Sequence, residues 1–260
     1  MMKFRKMHGL GNDFVVLDFR EKSETLSPAR IQSICDRHFG VGCDTLMILE
    51  KSEKADVLAR FYNADGSESG ACGNATRCAA DIIMRELQVE KCTVQVTYGI
   101  LTCARAENDM VTVDMGAPVS VETLHDFKLS TSTLQSPTSV NMGNPHCVYF
   151  VDRLVDIPVD KIGTIVENHP QFPDKTNVEF VEILSPAKMR QITWERGVGI
   201  TLACGSGACA VAVAGVHTGR TDKAVEIVLD GGSIFIEIRA DNHVMMTGPV
   251  AYVFEGSLQG

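Results

Sequence analysis

The chain has 260 residues, with 24 Lys and Arg against 33 Asp and Glu, for a formal net charge of −9. A hydrophobic fraction of 45% beside 22% charged residues is that of an ordinary globular protein and excludes a disordered chain. The acidic balance argues against nucleic acid or an anionic membrane as partner. No apolar run reaches the roughly 18 residues of a membrane-spanning helix, and Met1 to Phe14 holds no apolar core of a secretory signal. Nine cysteines, an odd number without a dense cluster, predict reduced thiols in a cytoplasmic protein rather than a disulfide framework.

In chain order, Phe14-Val15-Val16-Leu17 predicts a strand. Ser27-Pro28 supplies an N-cap residue followed by proline in the first turn, so a helix is expected from there to about His38. Asp44 to Glu50 and Asp56 to Asn63 predict strands. Ala75 to Leu87, rich in Ala, Ile, Met and Leu, predicts a helix preceded by Cys72-Gly73-Asn74. Short strands follow near 92–98, 100–106 and 110–115. The stretch 117–139 is polar and Ser/Thr-rich and predicts a crossing between two halves. Beyond it come strands near 147–152, 178–184 and 187–194, with helices near 158–168 and 206–217. The last helix is rich in Ala and Val all round, which predicts burial.

The two halves are related by a fixed offset. Cys72-Gly73 recurs as Cys204-Gly205 (204 − 72 = 132), and the same offset pairs Gly11-Asn12 with Gly143-Asn144. It also pairs Glu50 with Glu182, Val96 with Val228, Gly99 with Gly231 and Gly116 with Gly248, and sets Thr45 against Asn177 and Asn63 against Glu195. An ordered series of matches at one offset is the mark of a duplicated unit. The reading is α+β: a first half over 1–116 completed by the tail 251–260, and a second over 117–250, each a sheet around a central helix and related by a pseudo-twofold.

Cys72 and Cys204 each stand immediately before a helix, where free backbone N–H groups and the helix dipole favour an anion. Such a position is expected to lower a thiol's pKa and make it a base or nucleophile. A lone Cys-Gly pair would be read as packing. Two at equivalent places in a duplicated chain suggest one thiol removing a proton from one face of a carbon and the other returning it to the opposite face. No Cys-x-x-Cys and no zinc-ligand spacing is present. Cys35, Cys43, Cys92, Cys103 and Cys147 are read as structural, and Cys78 and Cys209 as small hydrophobes on helices.

Longer motifs then become recognisable: Met7-His8-Gly9-Leu10-Gly11-Asn12-Asp13-Phe14, Tyr62-Asn63-Ala64-Asp65-Gly66, Ala71-Cys72-Gly73-Asn74-Ala75-Thr76-Arg77-Cys78, Gly143-Asn144-Pro145-His146-Cys147, Asn177-Val178, Trp194-Glu195-Arg196-Gly197, Ala203-Cys204-Gly205-Ser206-Gly207-Ala208-Cys209-Ala210 and Met246-Thr247-Gly248. Over its whole length the chain resembles the diaminopimelate epimerase family. The resemblance implies interconversion of LL- and meso-diaminopimelate without a cofactor or metal, on the route to lysine and peptidoglycan, and a site between the halves. It implies acid/base roles for Cys72 and Cys204, and carboxylate-binding backbone at Gly73, Asn74, Gly205 and Ser206. Substrate contacts would come from Asn12, Thr45, Asn63, Asn144, Asn177, Glu195 and Arg196, while His146 and Glu195 would tune the thiols. A homodimer is consistent with it. Thr45 stands where the family usually has Gln, so one substrate contact is expected to be lost or made through water.

Two other classes compete. One is a related racemase acting on a small amino acid such as proline, against which Asn63, Asn177, Glu195 and Arg196 argue, because such a substrate has no distal charged end. The other is a non-catalytic dithiol protein, which would not exchange a substrate proton with solvent.

Overall fold

A computed structural model describes residues 1–70, 73–129 and 134–259 of the chain. It divides into two compact units, Met1–Val113 with Thr247–Gly260, and Asp114–Met246.

In the first unit the strands are β1 (Met2–Gly9), β2 (Asn12–Asp18), β3 (Thr45–Glu50), β4 (Val57–Asn63), β5 (Glu68–Ser69), β6 (Lys91–Val96), β7 (Gly99–Arg105) and β8 (Val111–Asp114). β1 runs antiparallel to β2, β2 parallel to β3, β3 antiparallel to β4, β4 parallel to β6, and β6 antiparallel to β7. The helix α1 (Pro28–Cys35) is capped by Ser27, whose hydroxyl accepts the Arg30 N–H at 3.2 Å. It ends three residues before the expected His38. Asp36 takes an extended conformation there and its carboxylate accepts the N–H groups of His38 and Phe39, both at 2.7 Å. That local turn competes with helical hydrogen bonding. α1 packs Ile31, Ile34 and Cys35 with Phe4, Val15, Leu17 and Leu46 on one side of the sheet. The other helix, α2 (Gly73–Leu87), lies against β1, β4, β6 and β7 and is buried from Asn74 to Met84.

The second unit repeats this order. Its strands are β9 (Ser120–Thr123), β10 (Thr138–Asn141), β11 (Pro145–Val151), β12 (Asn177–Ser185), β13 (Lys188–Glu195), β14 (Gly199–Thr201), β15 (Ala224–Leu229), β16 (Gly232–Ile238) and β17 (Val244–Gly248). β9 falls inside the polar stretch 117–139 read as a crossing, and β10 starts at its end. Here β11 is parallel to β12, β12 antiparallel to β13, β13 parallel to β15, and β15 antiparallel to β16. α3 (Val159–Glu167) sits outside with Val159, Ile162 and Val166 in a cluster with Tyr149 and Phe180. α4 (Gly205–His217) lies against β9 to β12 and β16, with Ala208 to Ala214 buried. Its composition leaves no polar stripe, so it is stable only when enclosed on every side. The last strand, β18 (Ala251–Leu258), pairs antiparallel with β1 in the first unit.

The register repeats as well as the order. Phe14 stands beside Thr45 on β2 and β3, and His146 beside Asn177 on β11 and β12. Each residue of the second pair follows its counterpart by the same 132 positions.

Candidate active site

Each unit carries a helix start, an Asn-bearing turn below it, and a strand pair beside it. In the first unit, Gly73 and Asn74 open α2, and Cys72 lies outside the described residues. Asn74 Nδ2 donates to Asn12 Oδ1 at 3.3 Å, and Asn12 Nδ2 donates to Asp44 Oδ2 at 3.1 Å. Asn74 is buried and its Oδ1 accepts from Arg77 Nη2 at 2.9 Å. The turn holding Asn12 is fixed by a second layer of charge. Asp13 accepts from Lys6 Nζ at 2.5 Å and from Arg37 Nη2 at 2.7 Å, and Arg37 also reaches Asp44 at 2.6 Å. Burial would raise the Asp13 carboxyl, but hydrogen bonds from Arg37, Lys6 and the Asp44 N–H outweigh it and hold it well below the usual carboxylate range. Thr45 is buried and faces Asn63 across β3 and β4. Asn63 is exposed and opens the turn to Gly66, whose φ of +85° suits glycine; its side chain donates to Ser67 Oγ at 3.0 Å.

In the second unit Cys204 caps α4, with Gly205 and Ser206 in the first turn. Asn144 Nδ2 donates to Ser206 Oγ at 3.3 Å, the counterpart of the Asn12–Asn74 contact. Ser206 Oγ lies 3.6 Å from Cys204 Sγ. His146, fully buried, places Nε2 at 3.1 Å from Asn144 Oδ1 and Nδ1 at 2.7 Å from Glu179 Oε1. Asn177 is held by backbone: its Nδ2 donates to the Pro145 carbonyl and its Oδ1 accepts the Arg196 N–H, both at 2.9 Å. It therefore fixes the backbone on which Arg196 is carried. The Arg196 side chain is exposed and donates to the Asp174 carbonyl at 3.0 Å. Glu195 Oε1 accepts from Thr201 Oγ1 at 2.6 Å.

One expectation is corrected here. A helix start lowers a thiol's pKa when the thiol is also wet. Cys204 is buried, and burial pushes its thiol well above the ordinary value, with the carboxylates of Glu195 and Glu179 adding to the rise. The Gly207 N–H and the Ser206 hydroxyl act in the opposite sense and are outweighed. Burial and the two carboxylates thus favour the protonated thiol of Cys204.

The reading of the sequence missed Asp13, Asp44, Lys6 and Arg37, and it missed Glu179. Glu179 had a signal: it stands between Val178 and Phe180 in a strand whose first five residues are all buried.

Solved structures share this fold. A phenazine biosynthesis protein of Bacillus anthracis superposes with a TM-score of 0.74 over 99% of each chain at 15% identity. A hydroxyproline epimerase of Agrobacterium vitis does so with a TM-score of 0.75 over 98% of this chain and 91% of its own at 14% identity. At such identities the likeness establishes the fold class, two similar units of sheet and central helix. The particular relationship comes from sequence. The family model described as diaminopimelate epimerase matches residues 4–121 and again 138–253. The diaminopimelate epimerase of Carboxydothermus hydrogenoformans is 47% identical over 98% of both chains. That of Rhodospirillum centenum is 45% identical over 98% of this chain and 92% of its own. The chain belongs to the diaminopimelate epimerase family.

Proposed function

We propose that this chain interconverts LL- and meso-diaminopimelate by moving the proton on one α-carbon, in the biosynthesis of lysine and of peptidoglycan precursor, using its own side chains and no cofactor. The observation that carries this reading is sequence identity of 40–47% to diaminopimelate epimerases along nearly the whole chain, in a chain whose sequence repeats Cys-Gly at 72–73 and 204–205. Cys72 takes the proton from the LL substrate and Cys204 delivers one to the opposite face; the buried thiol of Cys204 supports its assignment as the acid. The N–H groups of Gly73, Asn74, Gly205 and Ser206 bind the carboxylate next to the reacting carbon, where negative charge grows as the proton leaves.

The other end of the substrate carries a second ammonium and carboxylate. Arg196 offers a guanidinium fork to that carboxylate, Glu195 an anion to the ammonium, and Asn12, Asn63, Asn144, Asn177 and Thr45 neutral donors and acceptors. His146 and Glu195 tune the thiols. We place the protein in the cytoplasm; no helix among the described residues is long and apolar enough to cross a membrane. A homodimer accords with the family. The test is direct: purified protein, LL-diaminopimelate and buffer alone, followed by chiral separation. Appearance of the meso isomer is expected. Turnover of trans-4-hydroxyproline or proline with none of diaminopimelate would overturn the assignment.

A further inference from the structure

In the first unit a line of hydrogen bonds crosses the start of α2, and both of its ends can run only one way. Arg77 Nη2 donates to Asn74 Oδ1 at 2.9 Å, Asn74 Nδ2 to Asn12 Oδ1 at 3.3 Å, and Asn12 Nδ2 to Asp44 Oδ2 at 3.1 Å. A guanidinium only donates and a carboxylate only accepts. Turning Asn74 over would set donor against donor at Arg77, and turning Asn12 over would set acceptor against acceptor at Asp44. The second unit is built without these two ends. At the places 132 residues on, it has Cys209 for Arg77 and Thr176 for Asp44, both buried. Its equivalent amide also stands the other way round towards the helix: Asn144 offers Nδ2 to Ser206, whereas Asn12 offers Oδ1 to Asn74. Arg77 is fully buried, and enclosing a guanidinium carries a desolvation cost. Gly9 makes room for it, since a Cβ there would lie 3.0 Å from Arg77 Nη2 and 3.3 Å from Asn74 Cβ. The fold does not require a guanidinium at this place on the central helix, because α4 is completed with Cys209.

We infer that Arg77 and Asp44 are positioning residues for the amides of Asn12 and Asn74, fixing which atom each of them presents. The inference rests on the proposed function, which sets Asn12 and the backbone N–H of Asn74 against the substrate. A side-chain amide has a donor end and an acceptor end of nearly the same shape, so packing holds its place but not its sense. A bound amino acid carries an ammonium that only donates and a carboxylate that only accepts. An amide turned over meets one of these with the wrong end and leaves a desolvated group unpaired. Fixing the sense before the ligand arrives removes that loss from binding. Arg77 acts from the buried side, through Asn74. Asp44 acts from the exposed side, directly on Asn12, and is itself held by Arg37, which donates to its Oδ1 at 2.6 Å. The Asp13 N–H donates to Asp44 Oδ2 at 3.2 Å, so the same carboxylate fixes both the backbone of the turn and the amide it carries.

Asp44→Asn keeps the shape of the side chain and removes the rule. Both oxygens of Asp44 accept, so an amide there must set its N–H groups against Arg37 on one side, or against Asn12 and the Asp13 N–H on the other. In the full chain this variant is expected to raise KM for both isomers of diaminopimelate about tenfold while kcat stays within about threefold of wild type. A merely structural role would instead lower the folded fraction, and with it kcat, and leave KM as it is. The ligand-free protein gives a second reading: the side-chain amide NMR signals of Asn12 and of Asn74 are both expected to move, although the hydrogen bond lost is the one made by Asn12. Arg77→Met, which keeps an unbranched buried side chain and removes the donor, is expected to have the same two effects from the other end. Should that variant not fold, the exposed Asp44 carries the test alone. An unchanged KM in Asp44→Asn, or Asn74 amide signals that do not move with it, would overturn the inference. A wild-type chain that epimerises neither isomer would defeat the proposed function instead, and the NMR signals would still decide whether Asp44 and Arg77 fix the amides.

Discussion

Asn144 meets Ser206 at 3.3 Å in the second unit as Asn12 meets Asn74 at 3.3 Å in the first, each pair separated by 62 residues. In both, an Asn-bearing turn is tied to the first turn of a buried helix, immediately after the position of a cysteine. What lies behind the contact differs: Arg77 and Asp44 in the first unit, His146 and Glu179 in the second. Equivalent backbones thus carry different polar partners behind the same contact.

The charge network under Asn12 makes stability depend on pH. Asp13 has its folded pKa depressed by Arg37 and Lys6. Its contribution is therefore present above the unfolded value, about 3.9, and is lost as pH falls towards the folded one. Asp13→Asn should cost about 1–2 kcal/mol at pH 7, allowing for solvent at Arg37. The gap between variant and wild type should narrow below about pH 4. Urea unfolding of both proteins across that range measures it; a gap unchanged from pH 7 to pH 3 would contradict the account.

Gly207 leaves room for the buried Glu179 side chain, since a Cβ there would lie 2.7 Å from Glu179 Oε1. Gly207→Ala should lower stability by about 1–3 kcal/mol through overlap with Glu179 Oε1, and reduce epimerisation. Adding His146→Phe and Glu179→Met to it should recover stability without recovering activity. Unfolding midpoints and rates for the single and triple variants separate the two effects. A single variant as stable as wild type would show that the contact is not tight.

Arg196 lies exposed on a turn whose backbone is held by Asn177, so its side chain can be removed with little effect on folding. Arg196→Ala should raise KM for both isomers by roughly tenfold or more, the loss expected for a charge-assisted pair. Asn177→Ala, which releases the same turn, should do likewise with added loss of stability. Steady-state kinetics in both directions checks this, and an unchanged KM for Arg196→Ala would remove it from the binding set.

Much of this architecture could be read from the chain, and the exceptions have physical causes. α2 and α4 were legible because a Cys-Gly pair precedes an Ala-rich run each time. β1 was hidden by Lys3, Arg5 and Lys6, the last a buried cation whose Nζ is satisfied by Asp13 and the Gly42 carbonyl. β9 and β18 have little apolar character of their own; they are strands because β10 and β1 offer them a paired edge. α1 was drawn too long because the Asp36 turn that ends it uses a side chain rather than a glycine or proline. The candidate site residues came in part from likeness at a fixed offset and otherwise, as with Arg196 and His146, from the resemblance to the family. Glu179 did not, since its meaning lies in a difference, a carboxylate where the other unit has Met47. Cys204 does stand at the start of α4, but burial raises its thiol where the motif alone suggests lowering, because burial cannot be seen in a Cys-Gly motif.

The most direct test of the whole account is α-proton exchange by wild type, Cys72→Ala and Cys204→Ala, side by side in deuterated water with each isomer of diaminopimelate. Wild type should epimerise both isomers with uptake of solvent deuterium at the α-carbon. Each single variant should lose epimerisation by about 10⁴-fold or more, the upper end for loss of a general acid or base, while still folding and binding substrate. Either variant retaining more than about a tenth of wild-type turnover would contradict the claim that the two thiols serve as the acid and the base.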